Sequence, residues 1–177
     1  MNDLSAHDAY GVPTAPATLT FQRLLPGPVE RVWAALIDSG LRRHWLAAGE
    51  MEMRLGAPFE LVWRNDELSG PPGRRPAGFP EEFRMRSLIT ELAPPCRLSM
   101  TWDGTGDATF VLAPHGRKVL LSVIHRGLAD RDTLLSIAAG WHMHLDILVI
   151  KARGEEPESF WDGWSRLRQE YDRRLAA

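Results

Sequence analysis

The sequence predicts a single-domain α+β fold, and two changes of hydrophobic period carry that prediction. From about residue 50 to residue 125 apolar side chains alternate with polar ones, the period of half-buried strands; beyond Gly127 they recur at helical spacing. The strands therefore run together and the longer helices gather at the C-terminal end, which is the mark of an antiparallel sheet with helices packed on one face rather than of alternating βαβ units. At 177 residues the chain fits one such domain and can bury about two-thirds of its unfolded surface.

Residues 18–25 alternate and are rich in β-formers, and Pro26-Gly27-Pro28 stops them. Val29, Val32, Trp33, Leu36 and Ile37 then follow helical spacing until Asp38-Ser39-Gly40, after which residues 41–46 form a second brief helix carrying Trp45. Met51 and Met53, then Phe59, Leu61 and Trp63 beyond the Gly56-Ala57-Pro58 turn, read as two strands of a meander. Residues 65–82 hold Gly70, Pro71, Pro72, Gly73, Pro76, Gly78 and Pro80, a density that no interior strand or helix tolerates. A long loop of this kind is functional or mobile, and mobility is the expectation here.

Strand character returns at residues 84–92, stops at Ala93-Pro94-Pro95, and resumes at 97–102 with Leu98, Met100 and Trp102 on one face and Ser99 and Thr101 on the other. Turns at residues 103–106 and at His115-Gly116 separate two further strands, 108–113 and 118–125, for about seven in all. Asp130 is placed to cap a long helix striped by Leu134, Ile137 or Ala138, Trp141, Leu145, Leu148 and Ala152. Gly154 ends it, and Glu155-Glu156-Pro157 open a last helix with Phe160, Trp164, Leu167, Tyr171 and Leu175 on one face. The division is thus a loose tail over 1–17, the domain proper over 18–153, and a helical extension over 154–177.

Composition narrows the function classes. The chain is 44% hydrophobic and 25% charged with a net charge of -2, so the basic excess typical of nucleic-acid binding is missing. No nucleic-acid partner is expected. The single cysteine, Cys96, closes no intrachain disulfide and suits a reducing compartment. The N-terminus carries Asp3 and His7 where a signal peptide would carry Lys or Arg, and the longest apolar run, 145–150, is interrupted by Asp146. A cytoplasmic protein without a membrane partner is expected.

Several strings, in order, then carry a family resemblance: Pro28-Val29-Glu30-Arg31-Val32-Trp33, Trp45, and Arg54-Leu55-Gly56-Ala57-Pro58-Phe59. They are followed by Glu91-Leu92-Ala93-Pro94-Pro95-Cys96-Arg97-Leu98 with Thr101-Trp102, and by His125-Arg126-Gly127-Leu128 with Gly140-Trp141. Over roughly residues 21–151 the chain resembles the Hsp90-ATPase-activator-like (AHSA1-type) branch of the START-like (SRPBCC) helix-grip superfamily, which also holds lipid-transfer domains and aromatic polyketide cyclases. The resemblance implies a strongly curved antiparallel sheet gripping the long helix, with a cavity between them. Packing points the same way, since a concave sheet facing one helix cannot fill its interior everywhere. The extension and the length of the 65–82 loop depart from the minimal domain.

The sequence holds seven tryptophans, and each ring either fills core or lines the cavity. Trp33 and Trp164 sit on helical stripes and are expected to pack. Trp45, Trp63, Trp102 and Trp141 belong to the elements bordering the cavity, and Met85, Met100, Phe110, His125 and Leu145 complete the expected lining. His125 shares the parity of Val119, Leu121 and Val123 and should look inward, either held by a backbone carbonyl or orienting a ligand. His142 and His144, two residues apart on a helix, point about 200° apart and cannot chelate one ion together. His142 with Asp146 at i, i+4 is expected as an exposed pair.

No Gly-x-Ser-x-Gly elbow, His-Glu-x-x-His zinc motif, phosphate-binding Gly-x-x-x-x-Gly-Lys or dinucleotide fingerprint occurs. No metal or cofactor is expected. The reading is non-catalytic binding of a hydrophobic or aromatic small molecule in the cavity. A protein-interaction module like the Hsp90 co-chaperone domain is the alternative, and a cyclase-like or hydrolase-like enzyme stands third. A homodimer is expected, because little internal surface remains to receive Phe160, Trp164 and Tyr171.

Overall fold

The computed structural model describes residues 9–102 and 106–175. In chain order these form β1 (Val12–Ala15), β2 (Thr18–Pro26), α1 (Val29–Ile37), α2 (Ser39–Arg42), β3 (Pro58–Trp63) and a single 3₁₀ turn (Asn65–Glu67). Then come β4 (Phe83–Ala93), β5 (Arg97–Thr101), β6 (Asp107–His115), β7 (Lys118–Arg126), α3 (Arg131–Ala152) and α4 (Phe160–Arg174). The strands make one antiparallel sheet in the order β1-β2-β7-β6-β5-β4-β3. This is the α+β helix-grip arrangement.

Strand alternation decides which side chains enter. In register across β2 and β7, Leu19 faces His125, Phe21 faces Val123 and Leu25 faces Val119, and all six are buried. β6 and β5 continue that inner face with Ala108, Phe110, Leu98 and Met100. The opposite parity is polar: Ser99 lies directly across from Thr109 and their hydroxyls bond at 2.8 Å, while Ser99 also donates to Glu91. A register shift between Ile89 and Glu91 bends β4, as one extra residue in a strand does.

At the start of α3, Asp130 Oδ1 accepts from the Thr133 amide at 2.8 Å. By length and composition α3 could cross a bilayer. Here ten of its 22 residues are buried, because the sheet covers one side and α4 the other. The last helix begins at Phe160 rather than at Pro157, and it folds back on its own domain. Phe160, Trp164, Leu167 and Tyr171 are all buried within the same chain. The expectation of a homodimer thus loses its ground, since α3 itself receives the apolar stripe of α4.

Three further expectations are corrected. Residues 12–15 are not loose tail: they form β1, which pairs with β2 and covers an otherwise open sheet edge. Just before it, the Tyr10 ring packs edge-on against His142 and Tyr171 at 4.7 and 5.4 Å. The segment holding Met51 and Met53 is no strand; only a lone bridge, Ala48 with Val62, marks its approach to the sheet. Seven strands result because β1 replaces it. The expected tail residues Asp3 and His7, and most of the turn at 103–106, lie outside the described residues.

The third correction concerns the Pro/Gly loop, which is fastened rather than free. Phe160 N donates to Ser69 Oγ at 3.1 Å, Trp161 N to the Pro72 carbonyl at 3.0 Å, and Arg74 N to Asp162 Oδ1 at 3.0 Å. Gly73 adopts φ +79, and a Cβ there would sit 2.9 Å from the Asp162 amide, so only glycine permits this approach. Asp66 accepts from Trp161 Nε1 at 2.7 Å and from Arg75 at 2.6 Å. Loop and α4 are one unit.

Candidate functional site

That unit, with α3 and the sheet end, borders a half-open cavity of about 370 Å³. Ser136, Ile137, Gly140, Trp141 and His144 supply the α3 wall, spaced so that they share one helical face. Gly140 contributes room: a Cβ there would meet nothing nearer than Trp164 Nε1 at 4.0 Å. Two aromatic clusters flank this helix. On the sheet side Trp102 lies 5.5 Å from Trp63 and 5.2 Å from Trp141, with Phe83 beside Trp63 at 5.8 Å. On the other side Phe79 from the loop lies 5.2 Å from Trp161 and 5.1 Å from Trp164, and Phe160 meets Trp161 at 4.9 Å.

Of the side chains expected to line the cavity, Trp63, Trp102 and Trp141 do so. Trp45 does not. Its indole donates to the Ala35 carbonyl at 2.9 Å, and it borders a separate hollow of about 240 Å³ toward the C-terminal end of α3. Met85, Met100, Phe110 and Leu145 are buried core behind the wall, because the concave face closes over them before the cavity begins. His125 is also behind the wall, wholly buried, and accepts at Nδ1 from Trp141 Nε1 at 3.0 Å. On this side an indole holds it.

Sequence reasoning missed the opposite wall. Phe160 and Trp164 were visible as a helical stripe but were assigned to packing, Trp161 fell off that stripe, and Phe79 and Phe83 lay in or beside the loop. Nothing local in the sequence shows that this loop meets α4.

The polar groups of the cavity are few. His144 Nδ1 donates to the Trp45 carbonyl at 2.8 Å, and burial pushes its pKa down to about 4, with that hydrogen bond opposing only part of the effect. The ring is therefore neutral at pH 7 with its lone pair on Nε2. Asn65 Oδ1 is buried and has no hydrogen-bond partner. Among the described residues Glu81, Ser136 and the indole N–H groups are the other polar groups of the lining, and no Lys or Arg belongs to it. Among the described residues no cluster of His, Cys, Asp or Glu could hold a metal.

His142 points elsewhere, into a buried polar chain. Gly11 N donates to Tyr171 Oη at 2.8 Å, and Tyr171 Oη meets His142 Nδ1 at 2.9 Å. His142 Nε2 lies 3.3 Å from Asp146, which accepts from Arg23 at 2.9 Å. The His142–Asp146 pair exists, but it is not exposed as expected, since Tyr10, Tyr171 and α4 cover His142. Burial raises the Asp146 pKa, yet the His142 bond and Arg23 together outweigh this and hold it below the usual carboxylate value. At the other end of α3, Arg42 is buried and bonds the Leu36 and Ala47 carbonyls at 3.0 Å and that of Gly49. Burial lowers its pKa to about 10, so it stays charged.

Fold and cavity define a helix-grip protein. The chain belongs to the family of Activator of Hsp90 ATPase homolog 1-like proteins, whose family model matches residues 26–150. It is similar to the protein encoded by gene BPP1335 of Bordetella parapertussis, with 35% identity over 95% of this chain and 91% of that one and a TM-score of 0.79. CalU16 of Micromonospora echinospora matches at 20% identity over 90% and 89% of the two chains, TM-score 0.65. NE0264 of Nitrosomonas europaea matches at 19% identity over 78% and 96%, TM-score 0.58. The last two share the fold alone. Among curated proteins none matches.

Proposed function

We propose that this protein reversibly binds an apolar, aromatic small molecule between α3, α4 and the sheet, without chemical conversion. The observation that carries the reading is the cavity itself: about 370 Å³ lined by Trp63, Trp102, Trp141, Trp161 and Trp164, five of the seven tryptophans. Ligand sites are typically concave, mostly apolar and of about this size or larger. An interaction module would instead spend such rings on a continuous exposed patch. Here they face inward.

The test uses the neutral fluorophore N-phenylnaphthylamine. Saturable binding with energy transfer from tryptophan is expected, and Gly140→Leu should abolish it by filling the cavity while leaving the helix intact, since Leu favours helix over Gly. Absence of saturable binding to the native protein would overturn the reading.

A further inference from the structure

Resting on that reading, we propose that the cavity selects aromatic molecules bearing a neutral hydrogen-bond donor, such as a hydroxyl, and discriminates against carboxylates. Two acceptors are built into an otherwise apolar lining. Asn65 stands in the wall with its Oδ1 buried and without a partner, an unfavourable state that a ligand donor reaching it would relieve. His144 is the second. Its Nδ1 proton is committed to the Trp45 carbonyl, which leaves Nε2 as an acceptor on a ring that lines the cavity. Burial keeps that ring uncharged, so it gives an anion no attraction.

Charge points the same way. Among the described residues the lining contains Glu81 and neither Lys nor Arg, so a bound carboxylate would lose its hydration and meet no counter-ion there. Three of the indole donors are already engaged, Trp141 with His125, Trp161 with Asp66 and Trp164 with the Ser136 carbonyl. A hydroxyl on an aromatic ring matches what remains: apolar faces to stack on, acceptors for its proton, and the indole donors of Trp63 and Trp102 for its oxygen.

Titration calorimetry of the full-length protein at pH 7 with naphthol, methoxynaphthalene and naphthoate separates the possibilities. These ligands share one ring system and differ in donor and charge. Naphthol is expected to bind about tenfold more tightly than its methyl ether, the worth of one well-made hydrogen bond, with naphthoate weakest. His144→Phe and Asn65→Leu should each lower the ratio of naphthol to methoxynaphthalene affinity. Should His144→Phe fail to fold, Asn65→Leu and the native series still decide. Equal affinities, or naphthoate tightest, would overturn donor selection and leave cavity binding standing; no binding of any of the three overturns both.

Discussion

Trp141 on α3 donates its indole proton to Nδ1 of His125 on β7 across 3.0 Å, in the interior of the grip. An acceptor Nδ1 places the proton of the neutral ring on Nε2, so one bond fixes both the indole plane and the histidine tautomer. Trp102 packs on both partners at 5.2 Å, which joins the sheet's inner face to the cavity wall.

Trp141→Ala is expected to destabilise the protein by about 3–5 kcal/mol, as truncation of a buried large ring does. Trp141→Phe keeps most of the ring area but removes the donor, and should cost about 1–3 kcal/mol through the acceptor it deprives. Urea unfolding midpoints of the two variants check this. A Trp141→Phe variant as stable as the native protein would show that the hydrogen bond contributes nothing beyond ring packing.

His144 makes stability depend on pH with a definite sign. Its folded pKa of about 4 lies below the usual 6.5, so between those values the unfolded chain binds a proton that the folded ring refuses. The stability gained by keeping it neutral is complete above pH 6.5, declines as pH falls toward 4, and levels off below. The gap corresponds to about 3 kcal/mol. Unfolding free energies of the native protein and of His144→Phe, measured from pH 7.5 to 4, should converge on acidification by roughly that amount. Parallel curves would sink the assignment.

These two histidines show how far the sequence could be read. His125 was placed inward correctly because strand parity is a strict period of two, but its partner lies on an element reached only through folding. The opposed directions of His142 and His144 followed from helix geometry alone. What each meets did not: Trp45 O is supplied by the segment after α2, and Tyr171 by a helix expected to leave the domain. The cavity was legible on its sheet and α3 sides. Its α4 and loop side was not, since an apolar stripe states that it needs a cover without stating which.

Arg23 carries the parity of Phe21 and Leu25 and so enters the grip, where Asp146 meets it at 2.9 Å. Removing the carboxylate alone strands a buried guanidinium. Asp146→Ala should therefore cost about 3–5 kcal/mol, whereas Arg23→Met combined with Asp146→Leu should cost far less, because no charge is left without its counterpart. Chemical unfolding of both variants compares them. A double substitution as damaging as the single one would mean that the wider chain through His142 and Tyr171, and not the ion pair, sets the stability there.

The loop and α4 make a separable prediction because one carboxylate joins them. Asp66 holds Arg75 and the Trp161 indole at once, at 2.6 and 2.7 Å, while Gly73 lets the backbone close onto Asp162. Asp66→Ala removes both bonds from a segment that contributes little to the central core. Opening of the loop should become easier by about 1.4 kcal/mol or more, while the global unfolding midpoint moves little. Trypsin reads that opening at the Arg74–Arg75 bond, and cleavage there is expected to speed up about tenfold or more. Glu82→Ala breaks only exposed ion pairs with Arg64 and Arg84 at the loop's far end and should leave the rate nearly unchanged. If the Asp66 variant is cut no faster than the native protein, Asp66 does not hold the loop on α4, and that wall of the cavity stands on the Ser69, Pro72 and Asp162 hydrogen bonds and the aromatic contacts of Phe79.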